Sequence, residues 1–211
     1  MEIVIDKISK KFNNRIVFND LSMVIPDQKL TGIYGASGAG KTTLLNIIGL
    51  IEPCQGTILY DGKMIKTKKE KRKMLSNDIG FIFQNFGLIE EMTVIDNIKI
   101  LKCMRNKNKV NKIIPTLELL GLKGYENKPV YELSGGEQQR VSFAKIILKN
   151  CSLILADEPT ASLDVANKNL IMRIFKHLVA SGKTVVLVSH DQEILNQCDV
   201  RLSISPKSQL H

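Results

Sequence analysis

The spacing of apolar residues changes twice along the chain, from short β-type segments to helical runs and then to alternating strands and helices. In the first third, Glu2 to Ile8, Val17 to Ile25, Leu30 to Tyr34 and Gly56 to Tyr60 are predicted strands, and Asp61-Gly62 suits a tight turn. A helix is predicted over Thr42 to Leu50. From Thr93 to about Leu120 the spacing is helical: Thr93 with Asp96 three residues on resembles a capping box, and Pro115 kinks or starts a helix within Val110 to Leu120. A polar, glycine-bearing break follows Leu133, and Glu137 to Leu148 is again helical. Ser152 to Ala156 and Thr184 to Ser189 are apolar strands, separated by a helix over Val165 to Ala180 and followed by a short helix over Gln192 to Cys198. Apolar runs of this kind between helices predict parallel strands covered on both faces. The expected organisation is an α/β body (1–84 and 151–211) interrupted by an all-α insertion (85–150).

Composition narrows the class. With 211 residues, 44% apolar and 24% charged, the chain is globular, which excludes collagen, coiled coil and bulk disorder. Its longest apolar runs, such as Leu44 to Ile51, fall far short of the roughly 18–20 residues a spanning helix needs. Met1 to Asp6 lacks the basic and apolar regions of a secretory signal, so residence in the cytoplasm is expected. Cys54, Cys103, Cys151 and Cys198 form no CxxC pair or Cys/His cluster and are expected to be reduced structural thiols. The net charge of +9 concentrates in Lys63 to Lys73 and Lys99 to Lys112 without interleaved aromatic residues. Solvated Lys-rich surface is the main reading, proximity to an anionic bilayer a lesser one, and nucleic acid the least favoured.

Three patterns carry chemistry. Gly35-Ala36-Ser37-Gly38-Ala39-Gly40-Lys41-Thr42 matches G-x-x-x-x-G-K-[ST] between a predicted strand and a predicted helix. Glycines let several backbone N–H groups turn inward on phosphate oxygens, and the helix adds its N-terminal partial positive charge. Lys41 then reaches the β- and γ-phosphates, the Thr42 hydroxyl is placed for Mg²⁺, and Thr43 is available for a phosphate contact. The second pattern is Asp157-Glu158 at the carboxyl end of the apolar strand Leu153 to Ala156, where α/β sheets place ligands. Asp157 suits the metal. Because neighbouring strand residues point to opposite sides, Glu158 is left free to orient and deprotonate a water. The third is Leu133-Ser134-Gly135-Gly136-Glu137-Gln138-Gln139-Arg140, a helix start with Ser134 as N-cap, Glu137 three residues on, and two glycines that allow close backbone approach.

LSGGEQQR resembles the signature motif of the ATP-binding cassette (ABC) ATPases, and the resemblance extends from about Ile3 to Cys198. It implies a P-loop NTPase core with a mainly parallel sheet, an N-terminal antiparallel β subdomain and an inserted all-α subdomain. It further implies that Phe12 stacks on adenine, where the family more often has Tyr. Gln84 would sense Mg²⁺ and water, His190 would contact the γ-phosphate, and the loop Ser162-Leu163-Asp164 would communicate across a dimer. Ser134, Gly135, Gly136 and Gln138 would close on the ATP held by a second copy of the chain, so that two ATP are sandwiched head to tail. The stretch from Gln84 to Val94 resembles a short helical segment that grips a separate membrane permease. The overall resemblance is to the lipoprotein-release, macrolide and antimicrobial-peptide exporters, and implies a subunit peripheral on the inner face of the cell membrane. A cassette regulating a membrane partner without transport, and a mechanical cassette acting on DNA or the ribosome, are the alternatives. Ser142-Phe143-Ala144-Lys145 departs from the family's usual small residues and Arg, and Val200 to His211 lacks its usual glycine-containing terminal hairpin.

Overall fold

A computed structural model describes residues 1–13, 15–83, 85–105, 110–161 and 163–205. In chain order the first elements are β1 (Ile3–Phe12), β2 (Arg15–Ile25), β3 (Leu30–Gly35), α1 (Lys41–Ile48), β4 (Gln55–Tyr60), β5 (Lys63–Met64) and α2 (Lys68–Asn77). They are followed by β6 (Ile79–Ile82), α3 (Val94–Lys99), α4 (Ile113–Leu119), α5 (Gly135–Lys149) and β7 (Leu153–Asp157). The last described elements are α6 (Val165–Ala180), β8 (Thr184–Val188), α7 (Gln192–Leu195) and β9 (Val200–Ile204). One sheet has the order β2-β1-β4-β5 and is antiparallel; the other, β6-β7-β8-β3-β9, is parallel throughout. Among the described residues, no helix is long and apolar enough to cross a membrane.

The continuous apolar runs of β7 and β8 arise because the parallel sheet is packed on both faces. Leu153, Leu155, Val186 and Val188 join the core shared with the antiparallel sheet and α1, through Ile3, Ile5, Leu44 and Ile48. Their neighbours Ile154, Ala156, Val185 and Leu187 join the opposite core, with Val94, Leu117, Phe143 and Phe175 from the helical side. Phe143 of α5 and Phe175 of α6 meet edge to face at 5.2 Å and are fully buried, so they fasten those helices together.

Several elements differ from the sequence-based expectation, each for a physical reason. Lys68 to Lys73 read only as a charge tract, yet it opens α2: Thr67 and Glu70 form a complete capping box, and Met74 is the helix's only buried residue. β6 is four residues long and includes Gly80, whose backbone runs so close to Cys151 that an added Cβ would lie 2.5 Å from its sulfur. β9 pairs on the open edge of β3, where the sequence offered no strand signal beyond alternation. The stretch after Gln84 is a turn, not a helix, because Phe86 and Gly87 both have positive φ (61° and 58°); helix begins only at Val94. Pro115 is the third residue of α4, in the first turn where its missing N–H costs no helical bond. Gln84 and Ser162 lie outside the described residues.

Replacing Phe143 by Ala removes a fully buried ring and its edge-to-face contact with Phe175 of α6. A loss of about 3–5 kcal/mol in chemical denaturation is expected, with a fall in Tm on the order of 10 °C.

Candidate active site

The phosphate-loop candidate leaves β3 at Gly35 and enters α1 at Lys41. Two of its glycines are sterically required. A Cβ on Gly35 would lie 2.3 Å from the Ile204 carbonyl oxygen of β9. Gly40 has φ 90°, and a Cβ there would lie 2.4 Å from Val17 and 2.8 Å from Phe18. The loop closes through Ala39 N–H donating to the Ala36 carbonyl at 3.1 Å. Lys41 turns back over it, its ammonium donating to the carbonyls of Gly35 (2.9 Å) and Ala36 (3.1 Å). No side chain caps the start of α1, which leaves its first N–H groups for an outside acceptor.

The loop forms one wall of a cleft of about 470 Å³, with Ser37, Gly38, Gly40, Lys41, Thr42 and Thr43 on one side, Phe12 and Arg15 at the β1–β2 end, and Asp157 and Glu158 at the end of β7. Asp157 is half-buried, and burial raises its pKa above the usual carboxylate value; a hydrogen bond from the Thr42 hydroxyl opposes that shift. Its Oδ1 is buried without a hydrogen-bond partner. A hydroxyl beside a carboxylate with a free oxygen fits Mg²⁺, which uses one or two protein oxygens plus substrate phosphates. No cluster of three or more His, Cys, Asp or Glu that would make a closed protein cage occurs among the described residues.

Glu158 follows the end of β7 with φ 46°, a strained conformation for a residue with a side chain. Strand alternation therefore does not carry through to Glu158, and both residues line the same cleft. Glu158 Oε1 lies 2.9 Å from His190 Nδ1, and its Oε2 is buried without a partner. His190 sits two residues beyond β8, and its loop is pinned by Asp191, which caps α7 and pairs with Lys168 of α6 at 2.6 Å.

Ser134, Gly135, Gly136 and Gln138 do not line this cleft. Ser134 caps α5 with Glu137 in a reciprocal capping box, and Tyr125 donates to the second Glu137 oxygen at 2.8 Å. Hydrogen bonds from Ser134 backbone, Ser134 hydroxyl and Tyr125 hold Glu137 below the ordinary carboxylate pKa. The Gln138 amide is engaged by the carbonyls of Val130 (3.3 Å) and Leu133 (3.1 Å). Asp164 caps α6, accepting from both Asn167 nitrogens, and the Asn167 oxygen accepts from Arg140 of α5 at 2.9 Å. The two elements expected to act across a dimer are thus joined within one chain.

Sequence reading missed Arg15, which lines the cleft and donates to the Gly38 carbonyl at 3.2 Å. Its register opposite Phe12 is a strand-pairing fact that single-chain periodicity does not carry. Ser142 and Lys145 stood out in the sequence only as departures from the family's usual residues. These donate to the carbonyls of Phe86 (3.0 Å) and Gly87 (2.9 Å) and bind the turn after Gln84 to α5. Burial lowers the pKa of Lys145.

A glycine-rich anion loop, a Lys, a hydroxyl and two carboxylates at the carboxyl edge of a parallel sheet define a nucleoside-triphosphate-binding ATPase cassette. Residues 18–161 match the ABC transporter family, and the chain belongs to that family as an ATPase cassette. It is 35% identical over 204 residues to the lipoprotein-releasing system ATP-binding protein LolD of Bacteroides thetaiotaomicron, covering 93% of this chain and 94% of that protein. The spermidine/putrescine import ATP-binding protein PotA of Spiroplasma citri is 38% identical over 192 residues, which is 88% of this chain and 53% of PotA. The macrolide export ATP-binding/permease protein MacB of Campylobacter jejuni is 35% identical over 204 residues, and the match spans 92% of this chain but 31% of MacB. The chain therefore spans about half or less of some relatives and nearly all of others. Among solved structures, the dimeric bacterial ABC transporter cassette MJ0796 has a TM-score of 0.86 at 29% identity, covering 98% of this chain and 95% of its own. A dimeric post-hydrolysis state of the same cassette, bound to ADP and Pi, also has a TM-score of 0.86, at 28% identity over 99% of this chain and 97% of its own.

Glu137→Ala removes half of the α5 capping box and is expected to cost about 1 kcal/mol at pH 7, or about 2–4 °C in Tm. Because the folded-state pKa of Glu137 is depressed, this contribution is fully present above the unfolded value of 4.5 and is lost as pH falls through the folded value. Melts of both proteins across pH 2.5–8 should converge at the acid end; a constant offset at every pH would rule out the carboxylate as its source.

Proposed function

We propose that the chain is the ATP-hydrolysing subunit of a transporter, dimerising around two Mg²⁺-ATP and driving a separate transmembrane permease that exports a peptide, lipoprotein or antibiotic-like substrate. One observation carries the reading: Lys41, Thr42, Asp157 and Glu158 converge on one cleft, while the exposed turn at Ser134 and Gly135 lies away from it. A second copy related by a two-fold axis supplies that turn to the cleft and receives the same in return. The dimeric cassette of the same fold supports this arrangement.

In this reading Phe12 stacks on adenine, and the amides of Gly35 through Thr43, with Lys41, neutralise the phosphates. Thr42, Asp157 and Gln84 would hold Mg²⁺, which would withdraw charge from the phosphate oxygens. Glu158 takes the proton of a water, and His190, hydrogen-bonded to Glu158, faces the γ-phosphate. Ser134, Gly135, Gly136 and Gln138 of the partner copy complete the shell, with Asp164 reporting across the interface. The catalytic contribution is positioning and charge stabilisation around the transferred phosphoryl group.

The helical region 85–150 is the unit that meets the permease, with exposed Phe83 and Ile89 beside the turn that Ser142 and Lys145 hold. Its attachment there would make the subunit peripheral on the inner face of the membrane. LolD, alike over nearly its whole length, and MacB support the export direction; PotA is named for import.

Purified Glu158→Gln is expected to bind ATP, accumulate as a dimer by light scattering with Mg²⁺ and ATP, and turn over about 100-fold or more slowly. Lys41→Ala is expected to lose nucleotide affinity. Undiminished turnover by Glu158→Gln would remove Glu158 as the base. Tagged Glu158→Gln drawn from native membranes with Mg²⁺-ATP should bring down an integral membrane protein; ribosomes or DNA-repair proteins in its place would overturn the transporter assignment.

A further inference from the structure

We propose that Lys10 is a positioning residue for nucleotide binding, acting through the far face of the Phe12 ring. The inference rests on the reading of Phe12 as the adenine-facing aromatic. Residues 10 and 12 share one face of β1, and the Lys10 ammonium lies over the Phe12 ring, 4.6 Å from its centroid. It is held there and not merely tethered nearby. Its side chain is 11% exposed, its ammonium pairs with Glu52 Oε2 at 2.9 Å, and it donates to the Pro53 carbonyl at 2.8 Å. Glu52 and Pro53 belong to the segment that follows α1, so the cation links the Phe12 strand to the far end of the helix that begins at the phosphate loop.

Phe12 and Lys10 line different cavities. Phe12 lines the nucleotide cleft, where Lys10 does not reach, while Lys10 lines another cavity of about 550 Å³, which Phe12 does not. With one ring face taken by the fixed cation and Phe12 45% exposed, the purine would stack on the other face. Two aromatic faces stacked directly repel through their negative quadrupoles. A cation on one face draws electron density toward itself and makes the opposite face less negative, so that a purine stacks on it more favourably. Lys10 also fixes the ring's orientation, which removes part of the ordering cost of binding.

The test compares two probes on the full-length chain: ATP, which engages ring and loop, and inorganic tripolyphosphate, which engages the loop alone. Lys10→Met is expected to weaken ATP binding about 3- to 10-fold, raise KM with kcat unchanged, and leave tripolyphosphate affinity as it was. Retained tripolyphosphate binding also shows that the site has folded. Lys10→Arg, which keeps a cation over the ring, should restore ATP affinity. An equal loss for both probes would overturn the inference in favour of simple charge attraction. If Phe12→Ala weakens ATP binding and Lys10→Met does not, the inference fails and the reading of Phe12 stands; if Phe12→Ala leaves ATP binding unchanged, that reading fails as well.

Discussion

A single rung of the parallel sheet sets the geometry of the candidate site. Ile33 of β3 pairs with Val188 of β8, and Val188 pairs with Asp157 of β7. Gly35 follows two residues beyond one member, His190 two beyond the next, and Glu158 one beyond the third. A slip of one residue in either pairing would exchange core-facing and opposite-facing side chains along a whole strand. The two cores prevent this, since Leu153 and Leu155 are committed to one and Ile154 and Ala156 to the other. Packing far from the cleft thus dictates which groups meet inside it.

The parts of this arrangement visible in the sequence were those whose physics is local. Loop glycines, the Ser134–Glu137 box and the apolar strands before Asp157 and His190 each announce themselves through neighbouring residues, and all appear where spacing puts them. What escaped was held by distant partners or by too few residues. α2 has no apolar stripe because only Met74 is buried, and β6 needs its neighbours to be recognised as a strand at all. Arg15 and Lys10 matter through rings, carbonyls and carboxylates that strand pairing and packing bring to them. Alternation along β7 does not reach Glu158, because the strand ends at Asp157 and the backbone turns to φ 46° at the next residue.

Short hydrogen-bonded chains join surfaces that the proposed cycle must coordinate. Ser142 and Lys145 tie the turn at Phe86 and Gly87 to α5, and Arg140 ties α5 through Asn167 to Asp164. The buried Gln139 amide donates to the Pro159 carbonyl, one residue beyond Glu158. α5 is therefore the common frame on which the turn, the Ser134 start and the segment after β7 are mounted. Residues that depart from family habit, such as Lys145, still meet this demand with their own donors.

The positive φ at Glu158 has a consequence for how such a protein changes under selection. A side chain in that conformation costs about 1–3 kcal/mol relative to a relaxed backbone, and Gly or Asn would bear it more easily. Stability and the proposed chemistry therefore favour different residues at one position. A library sorted by melting temperature alone would drift toward Gly or Asn at 158 and lose the carboxylate while improving the fold, which on the proposed role of Glu158 trades activity for stability at a strained site.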